Sequence, residues 1–396
     1  MKRNNIIGII LIIAVILGLV YFVDNHGTKE RETVKIGQIS ALSGFGSDIG
    51  QEERNGALLA VEYTNSHGGI NGKTLEMISE DVSIDKLKVT SSAIQKLVNV
   101  DKVLAIVGPQ WDDTASIAVP LSRDLKIPII SPNSSPQVEE KTGSDYFFGT
   151  FYSDEVGIRV MLKFAKEKGY KRIAIIQPAN FGFWKYTEDL MKNNASEYGV
   201  EIVSEEYGTD FANTDYKTLI AKAKQSNPDA IFGAYEELEC PFLKQARDQG
   251  LDVPLLSTES AGTPKALKDC GRALENSLYY STPKQDGKYK EFEKTYIARF
   301  GSAPLSPSAV TSYDAILVTV EAMKNSKALN GATLDSTTSN GLTSARDAIR
   351  NEIAKIKFTN GSSMSEIAFD QKGFVITKDD AFMVKSVKGG EFVEVK

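Results

Sequence analysis

The sequence predicts an α/β protein of two domains, each built on a parallel sheet. Three observations lead there. At 396 residues the chain exceeds the size at which a single hydrophobic core stops growing. Apolar runs of strand length alternate with amphipathic helical patterns, the signature of βαβ units. The alternation also comes as two successive series of similar layout, so the same kind of sheet is expected twice.

In the first series, 34–39 reads as a strand, 50–67 as an amphipathic helix, 75–80 as a strand and 86–99 as a helix. A strand at 103–107, a helix at 115–125 and a short strand at 129–130, stopped by Ser131-Pro132, complete it. The second series runs helix 155–168, strand 172–177, helix 183–198, strand 201–207, helix 216–225, strand 230–234, helix 239–249 and strand 255–257. Strand formers return at 278–282, followed by a helix at 288–300. Beyond the punctuation at Pro304 and Pro307, 308–324 is a long helix with Ala and Val at helical spacing, and 330–343, rich in Gly, Ser and Thr, reads as a loop. Residues 366–369 and 381–395 read as antiparallel strands, turned at Asp370–Gly373 and at Lys388-Gly389-Gly390.

The first segment departs from this globular character. Lys2 and Arg3 precede an unbroken apolar run of 18 residues from Ile6 to Val23, followed by polar residues to Glu32. This is an export signal or an anchor, and the positive charges place its start in the cytoplasm and the remainder outside. With no small-x-small site closing the run and no cysteine after it for lipid attachment, an uncleaved anchor is favoured.

Composition excludes several classes of function. The apolar fraction of 41%, the charged fraction of 25% and the net charge of -6 are those of a soluble globular protein with no electrostatic footprint for nucleic acid. Two histidines, His26 and His67, and two cysteines, Cys240 and Cys270, leave too few ligands for a zinc cluster. The cysteines are either one disulfide of an exported domain or two buried thiols.

Parallel α/β sheets bind ligands at the carboxyl ends of their strands, so the loops after each strand hold the candidates. These are 40–50, 108–114, 131–136, 177–184, 234–239 and 258–262. Ser43-Gly44-Phe45-Gly46 lacks the three-glycine spacing of a dinucleotide loop, and Ser43 lies in no G-x-S-x-G elbow with a histidine to serve it. Asp112, Asp113 and Glu259 have the chemistry of a glycosidase pair, or of plain solvated acids. Phe45, Trp111, Phe181, Trp184 and Tyr235 supply flat apolar walls with, in part, polar tips.

Several motifs stand together: Ile36 to Ser43 with Gly44, Arg54-Asn55-Gly56-Ala57, His67-Gly68-Gly69-Ile70-Asn71-Gly72-Lys73, Val107-Gly108-Pro109 and Ile127-Pro128-Ile129-Ile130-Ser131-Pro132. Further on come Arg172-Ile173-Ala174-Ile175-Ile176, Pro228-Asp229-Ala230 and Gln245-Ala246. From about Val34 onward the chain resembles the branched-chain amino-acid binding protein family. The resemblance implies a type 1 periplasmic binding protein fold: two Rossmann-like lobes with parallel sheets joined by three hinge crossovers, here near Phe151, Thr282 and Lys357. Lobe 1 would then be residues 33–152 plus 283–357 and lobe 2 residues 153–282 plus 358–396, with 1–32 as anchor and linker. It further implies a non-enzymatic receptor that delivers a solute to the permease subunits of an ABC importer, with no cofactor. The alternative is a membrane-anchored sensor for an amide, an amine or another polar solute.

By the same resemblance, a ligand carboxylate would meet lobe 1 at Asp112–Thr114 and at Asn133, Ser134 and Ser135. In lobe 2, Glu259 would face a ligand ammonium, with Phe181 and Tyr235 as aromatic walls. Asp112 departs from the pattern, because the family commonly offers a small hydroxyl there. A ligand carboxylate about 4 Å from an ionised aspartate is disfavoured by several kcal/mol at an effective dielectric of roughly 20. Either Asp112 points away, or the ligand presents a cation, an amide or hydroxyls at that end. An amino acid is the leading expectation.

Overall fold

The structure is a computed structural model, and it describes residues 32–83, 87–133, 138, 143–209, 214–235, 238–281, 287–329, 338–378 and 381–395. The predicted anchor, Ser134, Ser135 and Thr282 lie outside the described residues. Among those described, no helix is long and apolar enough to cross a membrane.

The first lobe opens with β1 (Thr33–Ser40), α1 (Ser47–Ser66), β2 (Thr74–Asp81), α2 (Leu87–Asn99), β3 (Ile106–Val107), α3 (Asp112–Asp124), β4 (Ile129–Ser131) and β5 (Phe147–Gly149). These strands form one parallel sheet in the order β2-β1-β3-β4-β5. The second lobe continues with α4 (Asp154–Lys168), β6 (Arg172–Gln177), α5 (Gly182–Ala195), β7 (Glu201–Tyr207), α6 (Lys217–Gln225), β8 (Ala230–Phe232), α7 (Glu239–Asp248), β9 (Leu255–Ser257), α8 (Pro264–Cys270) and β10 (Leu278–Ser281). The chain returns to lobe 1 for α9 (Gly287–Phe300), α10 (Ser308–Asn325), α11 (Ser339–Ile353) and the antiparallel pair β11 (Lys357–Phe358) and β12 (Ile367–Ala368). It closes in lobe 2 with the hairpin β13 (Met383–Lys388) and β14 (Glu391–Glu394).

The second sheet runs β14-β13-β10-β9-β8-β6-β7, so its five parallel strands repeat the order of the first lobe. In this order the helices after the first and third strands leave in opposite directions, which opens a crevice at the carboxyl edge. Each lobe has apolar layers on both sheet faces, as buried parallel strands require. In lobe 1, Ile36, Val107 and Ile130 pack with α1, α10 and α11, while Ile39, Ile106 and Ile129 pack with α2 and α3. In lobe 2, Ile173, Ile175 and Phe232 face α4 and α5, and Ala174, Ile176 and Ile231 face α6 and α7. Cys240 and Cys270 are paired, which settles the alternative left open above and ties α7 to the end of α8.

The expected third crossover at Lys357 is displaced. β11 and β12 stay in lobe 1, where Phe369 meets Phe148 with ring centroids 5.3 Å apart and Ile367, Phe369 and Val375 join the core. Phe382 and Val384 are the next core residues and belong to lobe 2, so the chain crosses between Val375 and Phe382. Residues 358–375, expected in lobe 2, thus lie in lobe 1. The apolar spacing of Ile367, Phe369 and Val375 across the Asp370 turn fits lobe 1, and sequence alone did not say which sheet they would cover. At the first crossing β5 ends at Gly149, while Phe151 and Tyr152 already pack in lobe 2. These two crossings touch, since the Ser153 amide donates to Thr377 Oγ1 at 3.0 Å.

Candidate functional site

The carboxyl edges of the two sheets face each other across a small cavity of about 40 Å³. Lobe 1 brings Gln110, Trp111 and Asp112 from the start of α3, and Pro132 and Asn133 from the end of β4. The opposite wall holds Phe151 and Asp154 beside the first crossing, Phe183 from α5 and Glu259 from the turn after β9. Each lies in the segment that follows a strand's carboxyl end or in the first turn of the helix after it.

On the lobe 1 side the two loops are tied together. Asn133 is buried, and its Nδ2 donates to Asp112 Oδ1 at 2.6 Å and to the Gln110 carbonyl at 2.8 Å. Asp112 and Asp113 stand in the first turn of α3, where the helix dipole favours negative charge. Trp111 is 9% exposed, with Phe45 tilted against it at 5.9 Å and the Gly46 backbone running along its ring. Its Nε1 is buried without a hydrogen-bond partner, as is Gln110 Oε1. Asp113 points elsewhere: its Oδ2 lies 3.3 Å from where a Cβ on Gly182 would stand, at the start of α5 in the other lobe. Gly182 has a φ of 53°, which only a residue tolerant of the left-handed region can hold there.

On the lobe 2 side two acids meet. Asp154 is fully buried and accepts a hydrogen bond from Tyr280 Oη at 2.7 Å. Glu259 is half-buried as a residue, but its Oε2 is sealed from water and has no partner. Burial, with the charge of Asp154 second, pushes the Glu259 carboxyl up to about 8. An acid held this far from its ordinary range, facing a cavity, marks a place where a cation would be welcome.

Of the residues singled out from sequence, Trp111, Asp112, Asn133 and Glu259 come together at the cavity, and Phe45 backs Trp111. Phe181 does not line it. It is 45% exposed and stands edge-on to Trp184, while Phe183, one helical position into α5, takes the cavity wall. Tyr235 is a correction: it is fully buried in the lobe 2 core, stacked on Phe242 at 4.6 Å, and its hydroxyl donates to the Ile176 carbonyl at 2.7 Å. Being aromatic and just past a strand end did not reveal that the ring turns inward.

Gln110, Pro132, Phe151, Asp154 and Phe183 were not singled out. All five fall in or beside loops or crossings identified from sequence, so the segments were legible before the side chains were. Asp154 had one signal only, its place directly after the first crossing. A larger hollow of about 490 Å³, lined by Tyr63, Phe292 and Tyr313 among others, lies wholly on lobe 1 outside the crevice.

Comparison with known proteins places this geometry. The periplasmic binding protein family matches residues 33–382. The leucine-, isoleucine-, valine-, threonine- and alanine-binding protein of Pseudomonas aeruginosa is 27% identical over 293 residues, which is 72% of this chain and 77% of that protein. A leucine binding protein from Thermotoga maritima has a TM-score of 0.77 at 22% identity, covering 92% of this chain and 98% of its own. A branched-chain amino acid transporter substrate binding protein from Streptococcus pneumoniae, in complex with isoleucine, has a TM-score of 0.76 at 24% identity, covering 92% and 100%. With the family matched over residues 33–382 and the fold shared over 92% of the chain, the chain belongs to the periplasmic binding protein family.

Proposed function

We propose that this chain is an extracytoplasmic solute-binding receptor of an ABC importer, and that its solute is an amino acid or a close derivative bound by its ammonium group. The observation that carries the reading is Glu259, which lines the cavity between the lobes with Asp154 and whose Oε2 is buried without a partner. A primary ammonium supplies three donors and a full positive charge, and no Lys, Arg or His among the described lining residues brings such a charge to these acids. The relatives named for amino acids fit the same chemistry.

In this reading the solute enters from lobe 1, the hinge at the crossings closes lobe 2 over it, and the closed form is what the membrane partner recognises. The solute is bound and released unchanged. The apolar run 6–23 holds the receptor to the membrane as an uncleaved anchor.

The test is thermal unfolding of the full chain against amino acids, amides, amines and sugars, since a ligand of the native state raises its stability by mass action. Compounds with a primary amine should raise the transition temperature and their N-acetylated forms should not. A shift produced only by sugars or by acids without an amine would sink the ammonium assignment.

A further inference from the structure

We propose that the cavity selects a solute whose end opposite the ammonium is a neutral carboxamide rather than a carboxylate. This rests on the reading above, in which Glu259 faces the ammonium.

The lobe 1 wall carries the inference. An amino acid's carboxylate would have to lie against Asp112, Trp111 and Gln110 if its ammonium meets Glu259. Two features of a helix start normally welcome such an anion: the positive end of the dipole and free hydroxyls. Among the described residues neither is on offer. The first turn of α3 already holds Asp112 and Asp113. The Thr114 hydroxyl turns inward to the Trp111 carbonyl at 2.9 Å, and the Ser131 hydroxyl donates to the Pro109 carbonyl. Among the described lining residues there is no Lys, Arg or His, while Asp112, Asp154 and Glu259 contribute three carboxyl groups.

On the described part of the lobe 1 wall, two buried atoms are without partners, the donor Trp111 Nε1 and the acceptor Gln110 Oε1. A carboxamide answers both, its carbonyl accepting from the indole and its NH₂ donating to the glutamine oxygen. Its second N–H suits Asp112, which a carboxylate would instead repel. Trp111 is more than nine-tenths buried, so leaving its N–H without a partner in the bound state would be unfavourable.

The experiment is calorimetric binding of matched pairs to the full chain at about neutral pH: each α-amino acid against its own α-carboxamide, on the wild type and on Asp112→Asn. The expected result is that the amide binds about tenfold or more tightly than the acid in every pair that binds. Asp112→Asn should narrow that ratio by strengthening the acid. Acids binding more tightly than their amides would overturn the inference and leave the ammonium reading standing. An amide preference untouched by Asp112→Asn would also overturn it, because Asp112 would not be its source. Binding of neither member of any pair would bring down the ammonium reading itself.

Discussion

Side chains in this protein divide into those that complete a core and those that leave an atom over. Tyr235 belongs to the first kind, since its ring stacks on Phe242 and its hydroxyl is satisfied by Ile176. Tyr235→Phe should therefore leave solute affinity unchanged and lower stability by about 1 kcal/mol, the worth of one buried neutral hydrogen bond; a loss of affinity in calorimetry would return Tyr235 to the site. Glu53 on α1 is of the second kind, 1% exposed with Oε1 unpartnered, and burial pushes its carboxyl up to about 8. The folded state thus holds a proton that the unfolded chain releases. That contribution to stability is full below the ordinary glutamate range and is lost as pH rises towards about 8, by at most about 1.4 kcal/mol per pH unit. Denaturant titrations across this range should show a shallower decline for Glu53→Gln than for the wild type, and an equally steep decline would contradict the assignment. At this scale sequence went part of the way. Asp112, Asn133 and Glu259 were legible because charged and amide groups just after strands have few structural uses. The inward turn of Tyr235 and the outward turn of Phe181 were not, because an aromatic ring fits either environment.

Among the elements, most were legible because apolar periodicity switches cleanly between two and 3.6 residues along the chain. Strand β5 escaped, being three residues long with too few positions to show a period. Helix α11 escaped because its start, Ser339-Asn340-Gly341, reads as loop, although Leu342, Ala345, Ile349 and Ile353 form a buried stripe at helical spacing. The N-cap that begins it, Thr338 accepting from the Gly341 amide, is itself one of the residues that make the stretch look loop-like. Helix α1 lies close against α10: a Cβ on Gly56 would stand 1.9 Å from the Ala309 carbonyl oxygen. Gly56→Ala should force the helices apart and lower unfolding stability by about 1–3 kcal/mol. Equal denaturation midpoints for variant and wild type would show that the helices can separate without strain.

For the whole molecule, the two-lobe plan follows from length and alternation, the strand order is seen only in the folded sheets, and the hinge is where reading from sequence failed. Nothing in the residues around Lys357 distinguishes a crossing from a hairpin inside lobe 1. The choice is made by which core accepts Phe369 and Val375, and that is a property of the folded lobes. The Asp314 carboxylate, buried in α10, reinforces it by accepting from the amides of Ser362 and Ser363, so the segment leading to β12 is pinned to lobe 1. The crevice then lies between lobes linked by crossings that touch at Ser153 and Thr377, a geometry suited to closure about one axis. The account's central claim is that this crevice grips an ammonium through Glu259. Its most direct test is calorimetric titration of the tightest-binding primary amine into the full chain and into Glu259→Gln. The account predicts a loss of affinity of roughly a hundredfold in the variant, the size of a charge-assisted hydrogen bond removed from a buried site. Equal affinities would contradict it.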